Sequence, residues 1–224
     1  MTARLLLVRH GQTVWHAENR YAGISDIALT DAGRQQAEQL AEWAVARSRE
    51  QPVGAVVSSP LERARRTAEP AARALGVVPG VHEGLREVDF GWGEGRTIAE
   101  MTADDPEAVR AFHQDAETGA FPGSEPPSGA APRVCGALRE VAAAHDGQTV
   151  LVVAHNTAFR IALCAMLGIP VGRYRLVLPR LDNAAVTEIE VAGDRTALRS
   201  LNVPTGTGAA TAGRLPLTAP TAAG

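Results

Sequence analysis

The stretch Leu5-Leu-Leu-Val-Arg-His-Gly11 joins an apolar run to two side chains that carry or accept charge. Four consecutive apolar residues are typical of a strand that is buried on both faces. Strands of this kind form the centre of open α/β sheets, which bind ligands beyond the carboxyl ends of their strands. Because Arg9 and His10 follow the run immediately, the stretch predicts a central strand that ends at a binding site.

Two further apolar runs end in the same way. Gly54-Ala-Val-Val-Ser58 leads into Ser59-Pro-Leu-Glu-Arg63, and Thr149-Val-Leu-Val-Val-Ala154 leads directly to His155. Parallel strands place their carboxyl ends side by side. We therefore expect the polar groups of all three strand ends to converge on one crevice.

Helical patterns alternate with these strands, over residues 30–49, 61–75, 137–144 and 157–167. Alternation of strand and helix indicates βαβ crossovers. The expected fold is a three-layer α/β/α sandwich with a mainly parallel central sheet. Late strands at the sheet edge are predicted around Val177 and between Val186 and Val191.

Two segments interrupt the alternation. Residues 84–131 are rich in Gly, Pro and acidic residues, with a short helical pattern over 105–114, and we interpret them as a small lid over the sheet edge. Residues 204–224 are of low complexity and predict a flexible tail. The remaining residues, 1–203, are then one domain, which agrees with the chain length of 224 residues.

Composition excludes several classes of function. The formal charge is −3, all 22 basic residues are arginine, and 4% of residues are aromatic, so we expect no nucleic-acid or membrane-surface binding. The apolar run before Arg9 is too short for a signal peptide, and the seven-residue run 161–167 is too short for a membrane span. A cytoplasmic protein is expected. Cys135 and Cys164 are interpreted as reduced core residues.

The residue types at the strand ends favour phosphoryl transfer. Arginine binds phosphate oxygens in a bidentate manner, and neutral histidine is a nucleophile toward phosphorus. Neighbouring positive charge disfavours the imidazolium form and so preserves that nucleophile. A zinc site built from His10, His16 and His155 is the alternative, but the adjacent arginines would repel a cation. We expect neither a metal nor another cofactor.

In combination, four sequence blocks resemble the histidine phosphatase superfamily, in its phosphoglycerate mutase-like group. They are Leu7-Val-Arg-His-Gly-Gln-Thr13, Ser58-Ser-Pro-Leu-Glu-Arg-Ala-Arg-Arg-Thr-Ala68, Leu85-Arg-Glu-Val-Asp-Phe-Gly91 and Val152-Val-Ala-His155. The matches follow the family's order over most of the chain. The resemblance implies that His10 becomes phosphohistidine, that Arg9, Arg63 and His155 bind the phosphoryl group, and that Glu87 is the proton donor.

Two positions depart from the family pattern. His16 stands where many members have a phosphate-binding asparagine, and Asn156 replaces the glycine that usually follows the second histidine. Asn156 is expected either to place its side chain near the pocket or to cap the following helix. Further candidate substrate contacts are Gln12, Thr13, Tyr21, Ala22, Gly23 and the turn 122–125.

We expect a phosphatase acting on a small phosphorylated metabolite. The span between Glu87 and His155 is shorter than the resemblance implies for a true mutase, and a more open lid admits water. A phosphoglycerate mutase-type phosphotransferase and a non-catalytic phospholigand-binding module are the alternatives. The sequence leaves the oligomeric state open, and a homodimer is compatible with such a fold.

Overall fold

Six strands form a single sheet in the computed structural model, which describes residues 2–206. They are β1 (Ala3–Arg9), β2 (Val53–Ser58), β3 (Gly80–Val81), β4 (Thr149–Ala154), β5 (Val186–Ala192) and β6 (Arg195–Val203). Their order is β3-β2-β4-β1-β5-β6. The first four are parallel to one another, and β5 runs antiparallel to both β1 and β6. The expectation of a mainly parallel sheet is confirmed.

Helices cover both faces of the sheet. They are α1 (Val14–Ala17), α2 (Asp31–Glu50), α3 (Glu62–Leu75), α4 (Ile98–Asp104), α5 (Pro106–Gln114), α6 (Pro127–Ala144), α7 (Asn156–Met166) and α8 (Tyr174–Val177). Along β1, Leu6 and Val8 belong to the core on the α2 and α3 side, whereas Leu5 and Leu7 belong to the core on the α6 and α7 side. The continuous apolar run of β1 is thus buried on both faces, as a central strand in a three-layer sandwich requires.

The loop after β1 is held against the first turn of α2 by a close approach of two glycines. A Cβ atom on Gly11 would lie 2.5 Å from the carbonyl oxygen of Gly33, and one on Gly33 would lie 2.0 Å from that of Gln12. The hydroxyl of Thr30 accepts a hydrogen bond from the amide of Gly33 at 3.0 Å and caps the helix. These contacts fix the backbone directly after His10.

The lid segment is built on aromatic packing. It contains α4, α5 and two short 3₁₀ turns, and neither the turns nor α4 was expected from sequence. Phe112 stacks on Phe121 with ring centroids 4.2 Å apart, and Tyr21 meets Phe90 edge to face at 4.9 Å. These rings join the larger hydrophobic core, so the segment is packed against the α6 and α7 side of the sheet.

Several predicted boundaries were wrong. Helix α6 begins at Pro127, ten residues before the predicted start and inside the predicted lid. Proline fits the first turn of a helix, where its missing N–H is not needed, so a proline of the predicted lid starts the helix. Val177 lies in α8 and not in a strand, whereas the strand from Val186 is confirmed.

The edge strand beside β5 is β6, which the sequence pattern did not predict. Of the predicted tail, residues 204–206 are described, and the hydroxyl of Thr205 donates to the carbonyl oxygen of Ala184 at 3.0 Å. Residues 207–224 lie outside the described part of the chain. Within residues 2–206, no helix combines the length and apolarity needed to cross a membrane.

Candidate active site

Strand register brings three polar strand ends to the same level. Arg9 at the end of β1 pairs with Ala154 at the end of β4. The amide of His10 donates to the carbonyl oxygen of Ala154 at 3.0 Å, and the amide of Ser59 donates to that of Val153 at 2.9 Å. The rings of His10 and His155 consequently lie 5.2 Å apart, centroid to centroid. The structure thus gathers the candidates that the sequence placed at separate strand ends.

The ring of His10 is held in one tautomer. Its Nε2 lies 3.2 Å from Nε of Arg63, which can only donate, so Nε2 must accept. The proton is then on Nδ1, which donates to the carbonyl oxygen of Gly11 at 2.8 Å. Burial, followed by the charges of Arg63, His155 and Arg9, holds the pKa of His10 well below its usual value. His10 is therefore a neutral imidazole with a lone pair on Nε2 at neutral pH.

Arg9 and Arg63 are buried cations that are fixed by carbonyl oxygens. Nη1 of Arg9 donates to Leu181 at 2.7 Å, and the guanidinium of Arg63 donates to Ser25 and Gly23 at 2.6 Å each. Neither forms an ion pair with a carboxylate of residues 2–206. Burial lowers the pKa of Arg9 to about 10, which leaves it charged at neutral pH. Buried positive charge without an ion-pair partner favours the binding of an anion.

His16 lies beside Arg9 in an arrangement that a neutral ring cannot fully satisfy. Its Nδ1 faces the amide of Thr13 at 3.0 Å, and its Nε2 lies 2.6 Å from Nη2 of Arg9. Burial, and then the charge of Arg9, lowers the pKa of His16 to about 3, so the ring is neutral and has one acceptor nitrogen. Each ring nitrogen faces an N–H donor, but only one of them can accept. At the other nitrogen, the N–H of the ring points at the N–H of its neighbour. An anionic oxygen placed between Nε2 and Arg9 would accept from both.

Two buried polar atoms near these residues lack a hydrogen-bond partner among the described residues. They are Nδ1 of His155 and Nε of Arg9. The other ring nitrogen of His155 contacts the hydroxyl of Ser59 at 2.6 Å, which fixes the ring. A buried polar atom without a partner costs about 1–3 kcal/mol, and a ligand oxygen could remove that cost.

Glu87 is fastened to the start of α7. Its carboxylate accepts from the amides of Thr157 at 3.0 Å and Ala158 at 2.7 Å, and from its neighbour Val88 at 3.0 Å. Burial raises its pKa above the usual value, and these amides offset part of that rise. Glu87 and His10 line the same cleft. The arrangement can hold a carboxyl proton in the same cleft as the neutral Nε2 of His10.

The cap of α7 corrects one of the two expectations for Asn156. Because Glu87 takes the first free amides of the helix, the side chain of Asn156 does not cap it. Its Oδ1 accepts instead from the amide of Leu181 at 3.0 Å. The residue nevertheless lines the cleft, which agrees with the other expectation.

The cleft has a volume of about 730 Å³. Of the predicted substrate contacts, Arg9, Gln12, His16 and Asn156 line it, as do Tyr21 and Ala22. Other predicted contacts lie behind this wall. Thr13 is fully buried, and the carbonyl oxygen of Gly23 holds Arg63.

The predicted turn 122–125 lies away from the cleft. Glu125 there forms an ion pair with Arg133 at 2.6 Å, and the carbonyl oxygen of Pro122 accepts from the amide of Trp92 at 2.9 Å. These contacts brace the lid against α6. The turn therefore serves the packing of the lid in this structure.

Sequence reasoning missed several residues of the site. Ser59 orients His155, and the side-chain amide of Asn183 donates to the carbonyl oxygen of His10 at 2.7 Å. Arg175 also lines the cleft. The one available signal was the position of Ser59 at a strand end.

The three histidines of the zinc alternative do come together, since the ring of His10 lies 5.4 Å from that of His16 and 5.2 Å from that of His155. Both ring nitrogens of His10 and His16 and one of His155 are engaged with protein groups, and Arg9 or Arg63 contacts two of the rings. Within residues 2–206, no group of three His, Cys, Asp or Glu side chains has an arrangement that could hold a metal ion. The geometry fits an anion better than a cation.

Comparison with known proteins agrees with this geometry. Residues 5–204 match the family model of the histidine phosphatase superfamily, branch 1. Phosphoserine phosphatase 1 of Hydrogenobacter thermophilus is 32% identical over 200 residues, which is 89% of this chain and 92% of the relative. A probable phosphoglycerate mutase, GpmB of Salmonella choleraesuis, is 35% identical over 84% of each chain.

Solved structures show the same relationship. The mycobacterial glucosyl-3-phosphoglycerate phosphatase Rv2419c superposes with a TM-score of 0.79 at 30% identity, and the match covers 91% of this chain and all of that one. A putative α-ribazole-5′-P phosphatase from Escherichia coli superposes with a TM-score of 0.78 at 25% identity, over 90% of this chain and 97% of that one. Sequence, fold and site agree: the chain belongs to the histidine phosphatase superfamily and is a histidine phosphatase enzyme.

Proposed function

We propose that this enzyme is a metal-independent phosphomonoester phosphatase that forms a phosphohistidine on Nε2 of His10. One observation carries the proposal: a neutral Nε2 lone pair lies against Arg63, next to the second buried cation Arg9. Nucleophile and anion-binding charges thus occupy one place. Phosphoryl transfer depends mainly on such positioning and on charge stabilisation.

In the first half-reaction, the hydrogen bond from Nε of Arg63 to Nε2 of His10 breaks and frees the lone pair. Nε2 then attacks phosphorus, a P–N bond forms and the P–O bond to the ester breaks. The carboxyl proton of Glu87 passes to the departing ester oxygen, which leaves as an alcohol. Arg9, Arg63, His16 and His155 donate to the phosphoryl oxygens. The raised pKa of Glu87 supports this role because it keeps the acid form available.

In the second half-reaction, water attacks the phosphohistidine. The carboxylate of Glu87 takes one proton from the water, the hydroxyl oxygen bonds to phosphorus, and the P–N bond breaks. Inorganic phosphate leaves, His10 returns to its neutral form, and Glu87 has recovered its proton. Each group therefore ends the cycle as it began, without a metal.

We propose hydrolysis and not transfer between two positions of a substrate. The relatives are named both as phosphatases and as a probable mutase, so family membership alone does not select between the two. The cleft of about 730 Å³ supports hydrolysis because it has room for water beside a small ester. The lid over residues 84–131 is proposed to cover the substrate during the reaction.

The test is a phosphate-release assay over a panel of small phosphomonoesters, with EDTA present. The native protein is compared with His10→Ala and with the matched control His113→Ala, which changes an exposed histidine. We expect EDTA-insensitive release in the native and control proteins and a loss of at least about 10⁴-fold in His10→Ala. Acid-labile phosphate should label the native protein and not the His10 variant.

Other outcomes would contradict specific parts of the proposal. Activity that disappears with EDTA would contradict the metal-independent mechanism. Full activity in His10→Ala would show that His10 is not the nucleophile. Movement of phosphate between positions of a phosphoglycerate without release would assign a mutase, and tight binding without turnover would indicate a non-catalytic phospholigand-binding module.

A further inference from the structure

Five arginines line the cleft, and their counter-charges differ. Arg20 forms ion pairs with Glu18 and Glu100, and Arg180 forms one with Asp182. Arg9 belongs to the phosphoryl site described above. Arg160 and Arg175 have no carboxylate within ion-pair distance in the described part of the chain. The cleft therefore contains a second pair of cations without an anion.

Neutral groups hold both guanidinium groups in place. Nε of Arg160 donates to the carbonyl oxygen of Leu178, and its guanidinium lies 4.7 Å from the ring centroid of Tyr174. Arg175 lies 4.6 Å from the ring centroid of Phe112, and its Nη1 approaches the hydroxyl of Tyr21 at 3.5 Å. Stacking on aromatic rings orients the planar guanidinium and leaves its charge uncompensated.

The positive charges of Arg160 and Arg175 also repel each other. Arg160 is 3% exposed, and burial lowers its pKa to about 10, with a smaller contribution from the charge of Arg175. Keeping two partly desolvated cations in one cleft is unfavourable without an anion between them. A ligand anion that contacts both would relieve burial and repulsion together.

We propose that Arg160 and Arg175, with the hydroxyl of Tyr21, bind a carboxylate of the substrate. The preferred substrates are then phosphomonoesters that carry a carboxylate a few bonds from the phosphate. This inference rests on the proposed phosphatase function, because it assigns the far end of the same substrate. It makes Arg175 a specificity residue at the lid side of the cleft.

A carboxylate fits this pair better than a second phosphate. Only two cations are present here, whereas the phosphoryl site combines two arginines and three histidines. A planar monoanion matches the guanidinium geometry and this charge better than a dianion.

The test measures kcat/KM on matched pairs of esters. Phosphoserine is compared with phosphoethanolamine, which lacks only the carboxylate, and 3-phosphoglycerate is compared with glycerol 3-phosphate. Charge-assisted hydrogen bonds predict a preference of at least about 30-fold for the carboxylate member of each pair. In Arg175→Met the preference should fall toward one, mainly through KM. Arg173→Met, an exposed arginine two residues away, should keep the native preference.

Failure of this inference differs from failure of the proposed function. Equal kcat/KM within both pairs, in a protein that needs His10 for turnover, would overturn the carboxylate site and leave the phosphatase standing. Preference for 1,3-propanediol bisphosphate over both carboxylate esters would assign a second phosphate instead. Thermal unfolding checks that Arg175→Met is folded. If it is not, Arg175→Gln replaces it, and the ratio of kcat/KM values within each ester pair of the native protein still tests the site.

If the native protein hydrolyses no ester, the proposed function fails, and calorimetric binding tests the carboxylate site alone. Tighter binding of phosphoserine than of phosphoethanolamine, lost in Arg175→Met, would support the site. Equal binding of the two esters would overturn it.

Discussion

Different interactions hold the charged groups on the two sides of the cleft. On one side, the strand-end platform presents Arg9 and His10 to the cleft, with Arg63 and His155 fully buried against the ring of His10. Its cations are fixed by backbone carbonyl oxygens. The other side, the lid wall, presents Tyr21, Phe90 and Arg175 to the cleft, and the guanidinium of Arg175 is held over the buried ring of Phe112. Carbonyl contacts define atomic positions closely, whereas ring faces tolerate small shifts.

This difference suggests a division of labour. Phosphoryl transfer needs groups held to within a fraction of an ångström, which the platform supplies through strand register and hydrogen bonds. Recognition of the rest of the substrate tolerates adjustment, which the lid wall allows. Glu87 belongs to the lid segment by sequence, but its contacts with Thr157 and Ala158 attach it to the platform.

Glu87→Gln should have the largest effect on this comparison, because it removes the one lid-segment group with a proposed chemical role. We expect kcat to fall by about 10²–10⁴-fold. Since the pKa of Glu87 is raised, its proton is retained through the usual carboxyl range and is lost at higher pH, where ester cleavage should slow. Single-turnover measurement of phosphohistidine formation should show this alkaline decline in the native protein and not in the variant. Glu83→Gln, an exposed neighbour, should behave like the native protein.

A pH-independent rate of phosphohistidine formation in the native protein would contradict the assignment of Glu87 as the acid. So would a loss in Glu87→Gln no larger than in Glu83→Gln. Unfolding by urea, followed by circular dichroism, controls for damage to the start of α7.

Arg63→Met tests whether the platform works through fixed charge. We expect kcat/KM to fall by about 10²–10³-fold, in the range found when one stabilising donor is removed. The charge of Arg63 helps hold the pKa of His10 well below its usual value. Without it the pKa of His10 rises, so His10 is protonated at higher pH and the acidic limb of kcat/KM should move upward. Arg65→Met, on the exposed face of the same helix, should leave the profile in place.

An unchanged acidic limb in Arg63→Met, with reduced activity, would mean that the residue acts only through packing. If Arg63→Met keeps the native kcat/KM, Arg63 does not contribute to the phosphoryl site.

Phe112→Leu should have the smallest effect of these substitutions, and we expect the effect to be confined to the lid wall. The change removes the stacking on Phe121 and the ring beneath Arg175 but keeps a buried apolar side chain. We expect the free energy of unfolding in urea to fall by about 1–2 kcal/mol. Val78→Ala, at a side chain that is 93% exposed, should change it by less than about 0.5 kcal/mol.

The comparison of walls also predicts where Phe112→Leu acts on catalysis. Its effect on substrate preference should exceed its effect on the turnover of phosphoethanolamine. A larger loss of turnover than of preference would show that the lid wall positions the reacting groups after all.

The platform could be predicted from sequence because each of its parts is local. An apolar run ending at Arg9 and His10 indicates a buried strand and its last residues without reference to the rest of the chain. The same holds for β4 and His155. Convergence follows from parallel pairing alone, since Arg9 and Ala154 are register partners.

The lid wall could not be predicted in this way. Arg175 and Tyr21 are 154 residues apart in sequence, and no short pattern signals their contact. Helix α6 was predicted to start too late because its first turns fall in the Gly- and Pro-rich stretch assigned to the lid, although Pro127 occupies a favourable first turn. Val177 was placed in a strand because a short apolar run fits a strand or a helix equally well.

The sequence by itself thus determined the central strands, the mainly parallel sheet and the proposed nucleophile with its arginine and histidine neighbours. Tertiary structure alone decided how Glu87 meets α7, how Ser59 orients His155 and which arginines keep an uncompensated charge. The physical reason is range: backbone periodicity and strand ends are properties of a few consecutive residues. Burial, pKa shifts and counter-charges depend on groups that only folding brings together.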